Sequence, residues 1–183
     1  GEPVLISEFG MWGLPEKGQA TTGELERVAW FDGSARIFTE EFKVPALALT
    51  NFSKYGLDRI FTDLNELARL AQRREFYGVK FIIEEMRKRP QLAGYVVTEL
   101  TDVEWETNGF LTYNRQLKAG FDRATDFNGE TVITVDLNKR NFWCGENLYI
   151  RPVVINNSGQ KIAGEVLWYL DGTALSERTP LIV

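Results

Sequence analysis

The pattern of apolar and polar positions along the chain opens on a short apolar run, Val4-Leu5-Ile6, preceded by Pro3 and closed by Gly10, which reads as a strand of the kind buried in a parallel sheet. The next clear element is helical. Asp63-Leu64-Asn65-Glu66 has the form of a capping box, and Leu64, Leu67, Ala68, Ala71, Val79, Ile82, Ile83 and Met86 keep helical spacing. Arg87-Lys88-Arg89 place cations at the carbonyl end and Pro90 stops the element. A helix over 63–89 would be about 40 Å long at ~1.5 Å per residue, with Gly78 as a weak point. Then follows Leu92-Ala93-Gly94-Tyr95-Val96-Val97-Thr98, a β-branched and apolar run. Strand, long helix and strand form a βαβ unit, which requires a parallel pair.

Between the first strand and this helix, from Met11 to about Tyr55, lies a long Gly-rich and polar connection with aromatic islands at Trp12 and Trp30-Phe31. Connections of that length are usually functional or mobile. Thr39 to Leu49 could hold a short helix broken by Pro45. A second short helix is expected over Asn114 to Asp126. From Asn128 the pattern changes to strands over Thr131–Val135, Leu148–Ile155 and Glu165–Leu170, with turn signals at Cys144-Gly145 and Asn156-Asn157-Ser158-Gly159. These suggest part of a β-sandwich. The expected domains are therefore 1–127 and 128–183.

Both expected sheet strands of the first domain end in a carboxylate, Glu8 and Glu99. A charge at the tip of a buried strand costs several kcal/mol unless paired or solvated. Glu8 either points into water beyond the strand or stands at the carboxyl end of an α/β strand, where barrel enzymes keep catalytic groups. Its repetition at Glu99 keeps the second option open. The segment Thr101-Asp102-Val103-Glu104-Trp105-Glu106-Thr107-Asn108-Gly109 sets carboxylates around a tryptophan. It fits a solvated loop, a carbohydrate site in which an aromatic face stacks on a sugar, or, least well, a hard-cation site.

Composition narrows the chemistry. The 183 residues are 44% hydrophobic with a formal net charge of −5, which suits one soluble domain or one and a part and gives no electrostatic footprint for nucleic acid. No apolar run approaches the roughly 20 residues needed to span a bilayer, and the opening residues lack the basic region of a signal peptide. The chain has no histidine, which removes Ser-His-Asp and Cys-His catalysis and leaves carboxylates, Lys, Tyr or oxygen-ligated metal. Cys144 reads as a small buried hydrophobe and leaves the compartment open. Both ends fall in or beside apolar runs, so a piece of a longer polypeptide is expected.

The stretch Val4-Leu5-Ile6-Ser7-Glu8-Phe9-Gly10, the long helix, and Gly94-Tyr95-Val96-Val97-Thr98-Glu99-Leu100-Thr101-Asp102 through Asn108-Gly109-Phe110-Leu111 resemble the C-terminal part of the catalytic barrel of glycoside hydrolase family 2, the β-galactosidases, β-glucuronidases and β-mannosidases. The tail from Asn128, with Phe142-Trp143-Cys144-Gly145-Glu146 leading into a strand, is similar to the β-sandwich that follows that barrel. The resemblance implies α/β then β architecture: the last two strands and helices of a (β/α)8 barrel plus an incomplete sandwich. It further implies retaining hydrolysis of β-glycosides without metal or cofactor, Glu8 as nucleophile, and substrate contacts from Trp12, Glu99, Asp102 and Trp105. The family's acid/base lies on an earlier strand, so the isolated chain is expected to be inactive and its partners to be the sugar and the remaining polypeptide. The tryptophan many members carry near Thr98 and Glu99 is missing. The other reading is a noncatalytic carbohydrate-binding or interaction module. Two strands cannot close a barrel, so self-association of the chain is also expected.

Overall fold

The computed structural model describes residues 1–16, 51–103 and 106–169, and the backbone alone at 36–37, 40–41, 170 and 173–182. Two compact units divide it, one comprising Gly1–Ile82 with Pro90–Ala124 and the other Ile83–Arg89 with Thr125–Val183.

The first unit contains the expected βαβ unit. Strands β1 (Val4–Phe9) and β4 (Leu92–Val97) pair in parallel, with Val4 opposite Leu92, Ile6 opposite Tyr95 and Phe9 opposite Val97. Phe9 and Tyr95 meet edge to face at 6.0 Å, and the Thr98 N–H continues the ladder by donating to the Phe9 carbonyl at 2.7 Å. Between them runs α1 (Leu64–Arg87). Its start follows from the capping box: Asp63 Oδ1 accepts from the Glu66 N–H at 2.7 Å, while the Glu66 carboxylate reaches back one residue further than the usual pattern, to the Thr62 N–H at 2.6 Å. Gly78 is a contact point. Met11 lies so close that a β-carbon there would fall 2.9 Å from its Cγ and Cε.

The core of this unit includes Ala68, Phe76 and Val79 of α1 together with Phe121, all buried. Phe76 meets the Phe121 ring edge-on at 5.5 Å, and Phe110 stacks on it at 4.5 Å. Burying each such ring contributes about 1.5–3 kcal/mol. The expected helix over 114–126 is two short pieces instead, a 3-10 turn at Phe121–Arg123 and α2 (Thr125–Asn128). Gly120, at φ 99, takes the left-handed conformation that helical residues cannot, and that ends any continuous helix. Of the stretch expected to be helical near 39–49, the start is strand: β3 (Glu40–Glu41) pairs antiparallel with β2 (Arg36–Ile37), and the rest lies outside the described residues, as do Trp30 and Phe31.

In the second unit, β5 (Thr131–Leu137) and β6 (Ile150–Asn156) form one antiparallel pair and β7 (Ala163–Leu170) and β8 (Thr173–Ile182) another. The period of two holds in β5, where Val132 and Thr134 are buried and Thr131 and Ile133 are exposed. Lys88, from the end of α1, donates to the Val135 carbonyl at 3.0 Å and pairs with Glu85 and Asp136 at 2.8 Å each. Cys144 is exposed, contrary to its expected burial. It lies in a tight turn in which the Glu146 carboxylate accepts the Trp143 N–H at 2.7 Å and Gly145 takes φ 87, leaving its side chain no core to enter. The architecture is thus helix and strand with two-stranded sheets, and no closed barrel is present among the described residues.

Candidate active site

Where β1 and β4 end, their exits are held close. Glu8 is the next-to-last residue of β1 and is exposed. At Gly10 a β-carbon would run into the Thr98 carbonyl oxygen and lie 3.6 Å from Asn108 Nδ2, so this crossing requires glycine. The chain then presents Trp12, 56% exposed, and turns inward at Gly13. There the Gly13 N–H donates to the Thr107 carbonyl at 2.8 Å and the Thr107 hydroxyl donates to the Gly13 carbonyl at 2.6 Å. Leu14 offers its carbonyl to Gln72 Nε2 at 2.8 Å.

Beyond β4 the Thr98–Glu99 peptide is cis, and the loop to Thr112 folds back on itself. The Phe110 N–H donates to the Glu99 carbonyl at 3.3 Å, and Val103 and Glu106 exchange backbone bonds at 3.1 and 2.9 Å. Glu104 and Trp105, between them, lie outside the described residues. Glu99 is half-buried and its Oε2 is buried without a hydrogen-bond partner. Burial raises its carboxyl above the usual glutamate range, and Glu106, Asp102 and Glu8 add to this, Glu106 also through a side-chain hydrogen bond. Three glutamates therefore meet electrostatically at the strand ends.

Asp102 is buried beside Lys118. It is 4% exposed, and its Oδ1 accepts from the Gly109 N–H at 3.0 Å and pairs with Lys118 Nζ at 2.6 Å. Lys118 is itself buried and reaches Glu75 Oε2 at 3.2 Å and the Thr107 carbonyl at 2.9 Å. One ammonium faces two carboxyl groups. Burial pushes Glu75 up to about 8 against the opposing pull of Lys118, and burial likewise raises Asp102. No group of three or more His, Cys, Asp or Glu side chains among the described residues is arranged to hold a metal ion.

Of the residues singled out from the sequence, Glu8 is near enough to Glu99 for its charge to raise that carboxyl, and Trp12 follows the exit of β1 in the chain. Trp105 lies outside the described residues. Glu106 belongs to the carboxylate-rich segment around Trp105; Gln72, Glu75 and Lys118 were not foreseen. Gln72 and Glu75 carried a signal nonetheless: they sit on the inward face of α1 among Ala68, Phe76 and Val79, where polar side chains need partners.

What this arrangement can do chemically is bind and react with a neutral polar ligand. An exposed carboxylate on a rigid strand can attack or accept a proton, and a neighbour held toward its protonated form can donate a hydrogen bond.

No family model matches the sequence, and no curated protein does. Among solved structures, the fold is similar to that of a β-D-mannosidase from Dictyoglomus thermophilum, with a TM-score of 0.54 and 18% identity, over 98% of this chain and 23% of that one. The chain thus spans under a quarter of that protein's length, and at this identity the likeness is one of fold.

Proposed function

We propose that the chain is the C-terminal part of a retaining β-glycosidase barrel, the last two strands with their helices, followed from about residue 128 by the opening strands of a β-sandwich. The observation that carries this reading is the parallel β1–α1–β4 unit with a glutamate at the same end of each strand and the two exits locked by the Phe9–Thr98 bond. The fold likeness to a β-D-mannosidase supports it. In this reading Glu8 attacks the anomeric carbon as the glycosidic C–O bond breaks and the aglycone leaves with a proton from the acid/base partner; water, deprotonated by that partner, then displaces Glu8 from the covalent glycosyl-enzyme. The acid/base partner, which must stand roughly 5–5.5 Å away in a retaining enzyme, comes from an earlier strand outside this chain. Glu99 and Trp12 contact the sugar, Trp105 offers a further stacking face, and Asp102 acts from beneath by holding the loop.

The isolated chain then has no turnover, since general acid catalysis alone is worth about 10² to 10⁴ in rate. Aryl β-glycosides assayed with this chain and with a polypeptide extended upstream through the acid/base strand test the proposal. Activity confined to the extended form, and abolished there by Glu8→Gln, is the expected result; equal activity in both forms, or an active Glu8→Gln, overturns it. The exposure of Trp12 favours one other reading, a noncatalytic sugar-binding module. Calorimetry separates the two: a binding module keeps its affinity in Glu8→Gln and loses it in Trp12→Ala.

A further inference from the structure

Lys118, Glu75 and Asp102 are all buried, yet the chemistry proposed for the strand ends uses none of them directly. Replacing a buried ion cluster by apolar side chains of similar volume is often neutral or stabilising, so stability does not account for it. Its connections do. Lys118 Nζ bonds Glu75 on α1, Asp102 on the limb of the loop that leaves Glu99, and the Thr107 carbonyl on the limb that returns. Asp102 Oδ1 also takes the Gly109 N–H, which ties the two limbs together, and Thr107 is bonded twice to Gly13, just past Trp12. One ammonium thereby joins the helix, both limbs of the loop and the exit of β1.

We infer that Lys118 is a positioning residue of the candidate site, fixing the loop that carries Glu99 against the strand exit that carries Glu8. This rests on the reading that Glu8 and Glu99 serve one site. A purely electrostatic role and a positioning role differ in sign. Glu99 faces Glu106, Asp102 and Glu8, and its carboxyl is raised chiefly by burial. If Lys118 only supplied positive charge, its loss would raise the surrounding carboxyls further. If it holds the loop, its loss lets Glu99 relax into water and its titration falls to that of an ordinary glutamate.

The test is carbon-13 NMR titration of glutamate carboxyls in the 183-residue chain, with amide exchange followed at Gly109 and at Val79. In Lys118→Met, the Glu99 midpoint is expected to fall and Gly109 to lose its protection while Val79, inside α1, keeps its own. An unchanged or rising Glu99 midpoint overturns the inference. Should Lys118→Met fail to fold, Lys118→Gln removes the ammonium while keeping a polar end and is expected to lower Glu99 and unprotect Gly109 in the same sense; no fall there also overturns it. Glu75→Gln leaves the Lys118–Asp102 pair intact and is expected to leave Glu99 and Gly109 as they are; a fall equal to that of Lys118→Met would show general fragility of the cluster and count against Lys118. In an extended, active polypeptide, Lys118→Met should lower kcat about 10²-fold with KM nearly constant, the scale of a misplaced reacting group. If that polypeptide shows no glycosidase activity even unmutated, the functional reading fails while the titration still decides the role of Lys118.

Discussion

Single atoms decide much at the strand ends. Because a β-carbon at Gly10 would collide with the Thr98 carbonyl, Gly10→Ala must force the exits of β1 and β4 apart. The expected cost is about 1–3 kcal/mol, measurable as a lowered urea midpoint at unchanged m-value. Glu75 carries a different signature. Its carboxyl is raised to about 8 by burial, from 4.5 for a free glutamate, so the folded chain binds more protons than the unfolded one across that window. Stability from this group is full below about pH 4.5 and is lost as pH rises through about 8. Urea unfolding from pH 5 to pH 9 should therefore show a decline that Glu75→Gln flattens; a stability that rises over that range would contradict the burial argument. Asp102 and Glu99, also raised, act in the same direction and keep part of the slope.

At the scale of elements, α1 depends on its first turn. Asp63→Ala removes the acceptor of the Glu66 N–H and should cost about 1 kcal/mol. Gly78 offers a subtler test. Alanine normally gains about 1 kcal/mol over glycine inside a helix, but here the new methyl meets Met11. Gly78→Ala should therefore gain nothing alone and recover its helix advantage in a Met11→Ala background, a coupling that a double-mutant cycle in urea would read. This helix was legible in the sequence because its cap and its apolar spacing are local signals. The expected helix over 114–126 was not, because polar spacing there looks helical until Gly120, at φ 99, interrupts it. Cys144 was misplaced because a lone cysteine is read by its usual burial, although Cys144-Gly145 also carried a turn signal; its neighbour Trp143 is 84% exposed on that turn.

For the molecule as a whole, the parallel strand pair and its two terminal glutamates could be read in advance, since they follow from apolar runs and the crossover rule. The buried cluster beneath them could not. Lys118 and Glu75 are 43 residues apart in the chain, and nothing local to either announces the other. The apolar run that reads as buried, Val4-Leu5, is also open on the described chain, at 47% and 62% exposure, as is Val96 at 50%. Strands that present such side chains and an unpaired edge invite further strands. Sedimentation of the isolated chain is accordingly expected to show association that deepens with concentration, and an ideal monomer at high concentration would count against it.

The bond between Thr107 and Gly13 spans 94 residues of sequence. Closing a loop of that size costs on the order of 4 kcal/mol of chain entropy before any contact formed across it gives a return. The local turn of α1 and the antiparallel ribbons carry no such debt of distance, so they should be ordered first during refolding, with the meeting of the two strand exits among the last and slowest events. The candidate site would then exist only at the end of the folding reaction, and pulse-labelled amide exchange should find Gly13 and Gly109 protected after Val79.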